Sequence, residues 1–176
     1  MTSISRSSSR IILIGPMGVG KTAVGRELAK LLEVDFADTD AEIETRTGVD
    51  IGFIFEKEGE AGFRHREIAM LEELLARDNL VLSTGGGVVL ERTNRERLAA
   101  AGTVVYLHAT LATQLKRTCH SRKRPLLQGG DPRETLIQLN AERAPLYEAL
   151  ADLAVATDEQ TPREVARELH AALIYH

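Results

Sequence analysis

Tryptophan is absent from the 176 residues, cysteine occurs once, and aromatic residues make up only 4% of the chain. With Cys119 alone an internal disulfide is impossible, which suits a reducing compartment. No apolar run approaches the roughly 20 residues that span a bilayer, and the N-terminus lacks a hydrophobic signal core, so the chain reads as soluble and cytoplasmic. A broad positive field is missing too. The formal charge is -4 and the pI is near 5.8, which argues against a general nucleic-acid or anionic-membrane surface. An anionic ligand would need local cations. The five histidines form no H-x-x-x-H pair, and His65, His108 and His120 read as surface or partly packed residues.

Present instead are 43% hydrophobic residues in a length suited to one domain over 11–176, preceded by the Ser/Arg-rich, acid-free "MTSISRSSSR", which reads as a disordered tail over 1–10. Short Val/Ile/Leu runs at 11–14, 34–37, 80–83, 103–107 and 153–156 suit strands covered on both faces. Between them, 22–32, 63–76, 94–101, 111–119, 133–151 and 162–174 carry helical spacing, the last with Thr161 as N-cap and Pro162 at its first position. Strands alternating with helices predict an α/β fold: a parallel sheet with helices on both faces and a ligand at the carboxyl ends of the strands.

The first strand runs into Gly15-Pro16-Met17-Gly18-Val19-Gly20-Lys21-Thr22, a match to G-x-x-x-x-G-K-[ST] between a predicted strand and a predicted helix. Glycines let backbone N–H groups close around phosphate oxygens, the helix N-terminus adds positive partial charge, Lys21 can reach the β- and γ-phosphates, and Thr22 can offer its hydroxyl to Mg²⁺. A rival reading takes Gly18, Gly20 and Ala23 as the G-x-G-x-x-A variant of a dinucleotide fingerprint, with Asp38 or Asp40 as the ribose acid. That reading begins three residues too late after the strand, and leaves Lys21-Thr22 unexplained.

A phosphate loop alone does not separate kinases, switches and motors. An Asn-Lys-x-Asp stretch of the guanine-specific kind is missing, and the chain is short for a motor. A small-molecule kinase needs acids, an acceptor site and cations near the transferred group. "FADTD" supplies Asp38 and Asp40, which share one side if the strand persists, Asp38 then holding Mg²⁺ through water and Asp40 binding an acceptor hydroxyl. The plainer alternative is that Asp38 or Thr39 caps a helix starting near Ala41. "STGGG" at 83–87 predicts close approach of backbone to a ligand, or a flexible turn. The basic stretch 116–132, ending in a Gly-Gly pair and prolines, reads as a lid closing over phosphates, against the alternatives of a solvated face or a nucleic-acid tail.

Five ordered motifs, "GPMGVGKT", "DTD" at 38–40, "GEAGFRHRE" at 59–67, "GGG" at 85–87, and "RPLL" at 124–127 with "RAPLY" at 143–147, resemble the shikimate kinase family over nearly the whole chain after residue 10. The resemblance implies ATP-dependent phosphorylation of the shikimate 3-hydroxyl in aromatic amino-acid biosynthesis, by a P-loop, nucleoside-monophosphate-kinase-like monomer with parallel strand order 2-3-1-4-5. It implies that Lys21 and Arg124 stabilise the transferring phosphoryl group and that Gly18, Val19, Gly20, Lys21, Thr22 and Ala23 hold the ATP phosphates. Thr22 and, through water, Asp38 would hold Mg²⁺. Asp40, Arg64, Gly86, Gly87 and Arg143 would bind shikimate, the two arginines as a fork for its carboxylate. Arg117 would lie against adenine, with Pro162 nearby. The implied substrate-binding segment is about 40–70 and the lid about 119–131. Other readings are a different small-metabolite kinase, such as a gluconate kinase, and a nucleotide-binding module without turnover.

Overall fold

In the computed structural model, which describes residues 9–120 and 125–175, five parallel strands form one sheet: β1 (Arg10–Ile14), β2 (Asp35–Asp38), β3 (Leu80–Ser83), β4 (Thr103–His108) and β5 (Leu153–Ala156). The spatial order is β2-β3-β1-β4-β5, as the resemblance implies. Arg10, counted with the tail by composition, is the first residue of β1 and pairs with Leu80. Ser9, exposed, accepts the Leu80 N–H at 3.3 Å, and residues 1–8 of the expected tail lie outside the described residues.

The central strand shows why a continuously apolar run is needed. Alternate side chains leave a strand on opposite faces. Ile12 and Ile14 therefore enter one core, with Leu71, Leu82 and Val104, while Ile11 and Leu13 enter the other, with Val24, Leu28 and Leu169. The second core lies under α1 (Lys21–Leu32) and α7 (Pro162–Ile174), which pack on each other. The first lies under α2 (Thr39–Thr47), α3 (Ile51–Leu75), α4 (Arg92–Ala101) and part of α6 (Pro132–Leu150). Helix α5 (Leu111–Thr118) packs on α6 beside the loop that follows β1.

Helix α7 begins as its sequence predicts. Thr161 and Glu164 form a reciprocal capping box ahead of Pro162. Two elements depart from expectation. Strand β2 stops at Asp38, and Thr39 starts α2, so Asp38 and Asp40 do not share one extended strand. The reason is local: Asp38 Oδ1 accepts the Ala41 N–H at 3.0 Å, an N-cap bond that turns the chain into helix. Helix α3 begins at Ile51, twelve residues before the predicted 63, and bends at Gly59 (φ 71°, ψ 180°).

Candidate active site

The backbone of the loop 15–20 is fixed by side chains that hold its carbonyls. Lys21 Nζ donates to the Gly15 and Pro16 carbonyls at 2.7 and 2.8 Å. Gln114 Nε2 donates to Met17 O at 2.9 Å, Arg117 Nη1 to Gly18 O at 3.3 Å, and Thr157 Oγ1 to Val19 O at 2.7 Å. Five successive carbonyls are thus engaged. Gly20 then caps α1 in the left-handed region (φ 91°), a conformation that costs a side-chain-bearing residue dearly. A glycine-rich loop fixed at a helix N-terminus is a phosphate cradle.

Beside it, Thr22 Oγ1 donates to Asp38 Oδ2 at 2.8 Å. One oxygen of the aspartate caps α2, the plainer of the two readings the sequence offered, and the other meets Thr22. A hydroxyl and a carboxylate in contact are hard oxygen donors of the type that bind Mg²⁺, an ion that keeps several waters and needs few protein ligands. Asp40, in the first turn of α2, lines both the phosphate cleft and a second cleft next to it; Gly85 and Gly86 are likewise shared. The two clefts meet at these three residues.

Arg64 of α3 and Arg143 of α6 form the walls of the second cleft. The apolar stripe of α3 runs through Phe63, Met70, Leu71 and Leu74, and Glu67 sits on that stripe with 1% exposure. Its Oε1 accepts from Arg64 Nη1 at 2.9 Å, while Phe63 lies 5.2 Å from the Arg64 guanidinium carbon. Burial pushes the Glu67 carboxyl above its ordinary value, against the opposing pull of Arg64 and Arg143. Arg143 occupies a core position of α6, on one stripe with Leu136 and Tyr147, and is 4% exposed. Among the described residues, the Nε atoms of Arg64 and Arg143 are buried without a hydrogen-bond partner. Buried guanidinium donors left unpaired are costly unless an anion meets them.

The three glycines make room for these side chains rather than serving as a slack turn. A Cβ on Gly85 would stand 2.7 Å from Glu67 Oε2, and one on Gly87 would collide with the Arg64 guanidinium. Gly85 N donates to Thr39 Oγ1 at 3.1 Å, and the Tyr147 hydroxyl donates to Gly86 O.

Other expected residues sit further out. Arg117 bonds to Gly18 O and to both the hydroxyl and carbonyl of Thr157, bracing the loop against the β5–α7 turn. Pro162 lines a shallow groove along α1 with Ala23, Arg26 and Lys30. Arg124 lies outside the described residues. Of the expected lid, Pro125 and Leu126 border the second cleft from a short 3₁₀ turn. Glu67, Tyr147, Gln114 and Thr157 were not singled out from sequence. A charged residue on an apolar helical stripe is the signal that marks Glu67; Gln114 and Thr157 offer none.

A parallel 2-3-1-4-5 sheet with a phosphate cradle after β1 and an arginine-lined cleft alongside defines a small-molecule kinase of the P-loop class. The family model described as shikimate kinase matches residues 17–174. A shikimate kinase of Halorhodospira halophila is 54% identical over 168 residues, covering 96% of this chain and 95% of its own. The structure of shikimate kinase from Acinetobacter baumannii in complex with shikimate superposes with a TM-score of 0.94 at 46% identity, covering 96% of this chain and 94% of that one. A gluconokinase from Sinorhizobium meliloti matches with a TM-score of 0.57 at 20% identity, covering 96% and 93%, which reflects a shared fold alone. The chain belongs to the shikimate kinase family.

Proposed function

We propose that this protein transfers the γ-phosphoryl group of ATP to the 3-hydroxyl of shikimate, as a cytoplasmic monomer serving aromatic amino-acid synthesis. One observation carries the reading: a phosphate cradle and a cleft in which the Nε atoms of Arg64 and Arg143 are buried without a hydrogen-bond partner among the described residues meet at Asp40, Gly85 and Gly86. Phosphoryl transfer needs donor and acceptor in line with little covalent help, so a shared wall between two sites is the required geometry. No helix among the described residues is long and apolar enough to cross a membrane.

In this reading the loop amides from Gly18 to Ala23 hold the ATP phosphates, and Lys21 exchanges its loop carbonyls for phosphate oxygens. Thr22 and Asp38 hold Mg²⁺, Asp38 through water; the bound ion would neutralise charge on the phosphates. Arg64 and Arg143 fork the shikimate carboxylate, the former held in place by Glu67. Asp40 accepts the hydrogen bond of the reacting hydroxyl, and the Gly86–Gly87 backbone lies along the ring. Arg117 and Pro162 border the adenine side. Arg124 joins Lys21 in stabilising the transferring group, and the segment about 119–131 covers the site. No covalent intermediate is required.

A coupled ADP-release assay with ATP and Mg²⁺ compares shikimate, gluconate and no acceptor. Acceleration by shikimate alone is expected. Equal rates with and without it would overturn the proposal.

A further inference from the structure

Tyr147 is 1% exposed, and its ring stacks on Tyr106 with centroids 5.2 Å apart. A buried phenol must place its hydroxyl on a partner, and here the partner is the carbonyl of Gly86. The peptide linking Gly86 to Gly87 is planar and trans, so a carbonyl turned toward Tyr147 turns the Gly87 N–H the opposite way. Arg143 precedes Tyr147 by one helical turn. A Cβ on Gly86 would stand 3.5 Å from both Arg143 Nη1 and the Tyr147 hydroxyl, so guanidinium, phenol and glycine carbonyl converge on one spot. Burial raises the pKa of the hydroxyl, which keeps it a donor across the working pH range.

We infer that Tyr147 is a positioning residue for the acceptor side of the site: its hydroxyl fixes the Gly86–Gly87 peptide against the Arg143 guanidinium, so that two substrate-binding elements from distant parts of the chain keep one mutual geometry. The inference rests on the reading that Gly86, Gly87 and Arg143 contact the acceptor acid. Without the hydroxyl, the ring still fills its place and stacks on Tyr106, but the peptide is free to rotate. Misplacement of a binding group by an ångström is enough to weaken a site markedly.

Tyr147→Phe tests this, with shikimate and ATP varied in turn. The expected result is a shikimate KM raised about tenfold, with the ATP KM within twofold of wild type, as a displaced acceptor contact requires. A shikimate KM within threefold of wild type, or an ATP KM rising in parallel, would overturn the inference, because general loosening of the core moves both. Wild-type protein that fails to turn over shikimate would overturn the proposed function instead, so the two failures are distinguishable. The chain has three tyrosines, so 3-fluorotyrosine-labelled wild type gives a readout that does not depend on the variant folding. The Tyr147 resonance should move when shikimate is added without nucleotide. A stationary resonance would sink the inference.

Discussion

Replacing Arg143 by alanine separates binding from stability. In the free protein Arg143 is 4% exposed, and its Nε has no hydrogen-bond partner among the described residues. A buried charge held this way adds little to folding, since its desolvation offsets whatever it gains from neighbours. Its value comes when a carboxylate arrives. Charge-assisted hydrogen bonds are worth about 1.5–3 kcal/mol, and each 1.4 kcal/mol is tenfold in affinity, so losing one should raise the shikimate KM by ~10- to ~150-fold. The ATP KM should stay within about threefold, because Arg143 lines the second cleft and not the phosphate cleft. The melting temperature should fall only modestly, from the cavity left beside Tyr147. Steady-state kinetics in both substrates and a calorimetric melt on the same preparation measure all three quantities. Equal rises in both KM values, or a clear loss of melting temperature with an unchanged shikimate KM, would refute the reasoning.

Under the proposed function, in which Asp40 accepts the hydrogen bond of the reacting hydroxyl, Asp40→Asn should lower kcat by ~10²- to 10⁴-fold with near-normal KM for ATP and an unchanged circular-dichroism spectrum; near-normal turnover would remove Asp40 from the reaction. Gly87→Ala should fold, since the added Cβ meets the flexible end of Arg64, but displacing that guanidinium should raise the shikimate KM by more than ~10-fold, read by the same kinetics. Asp158 accepts hydrogen bonds from Thr113 Oγ1 and from the backbone and hydroxyl of Thr110, and these hold its carboxyl below the ordinary 3.8. A depressed carboxylate stabilises the fold above that ordinary value and loses the contribution as pH falls through the folded value. Thermal melts of Asp158→Asn and wild type should therefore differ most near neutral pH and converge below about pH 4.

How far the sequence disclosed this arrangement depends on what kind of signal each part carries. Strands β3 and β5 fall on their predicted residues, and β1, β2 and β4 within one residue at each end, because buried parallel strands are continuous apolar runs bounded by polar ones. The start of α3 was not legible. Glu56, Lys57, Glu58, Gly59 and Glu60 interrupt its apolar spacing, and the bend at Gly59 rotates the stripe, so no single helical period spans the element. The phosphate loop was plain, since a motif that fixes four of eight positions between a strand and a helix is seldom met by accident. Asp38 and Asp40 were found for a reason the fold revises: they reach the clefts from a cap and a first helical turn, not from one strand. Glu67 did carry a signal, a charge on an apolar helical stripe three residues from Arg64, whereas Tyr147 stayed hidden because its meaning lies in Gly86, whose proximity only the folded chain supplies.

The bracing of the loop after β1 has a consequence for how the protein can be altered. Its shape is underwritten by Gln114, Arg117 and Thr157, which belong to the far end of the chain and grip the loop's carbonyls. Much of the ordering needed for nucleotide capture is thereby settled during folding, so less entropy is left to be lost at the moment of encounter. Affinity for the triphosphate can accordingly drift through changes at positions that never meet it.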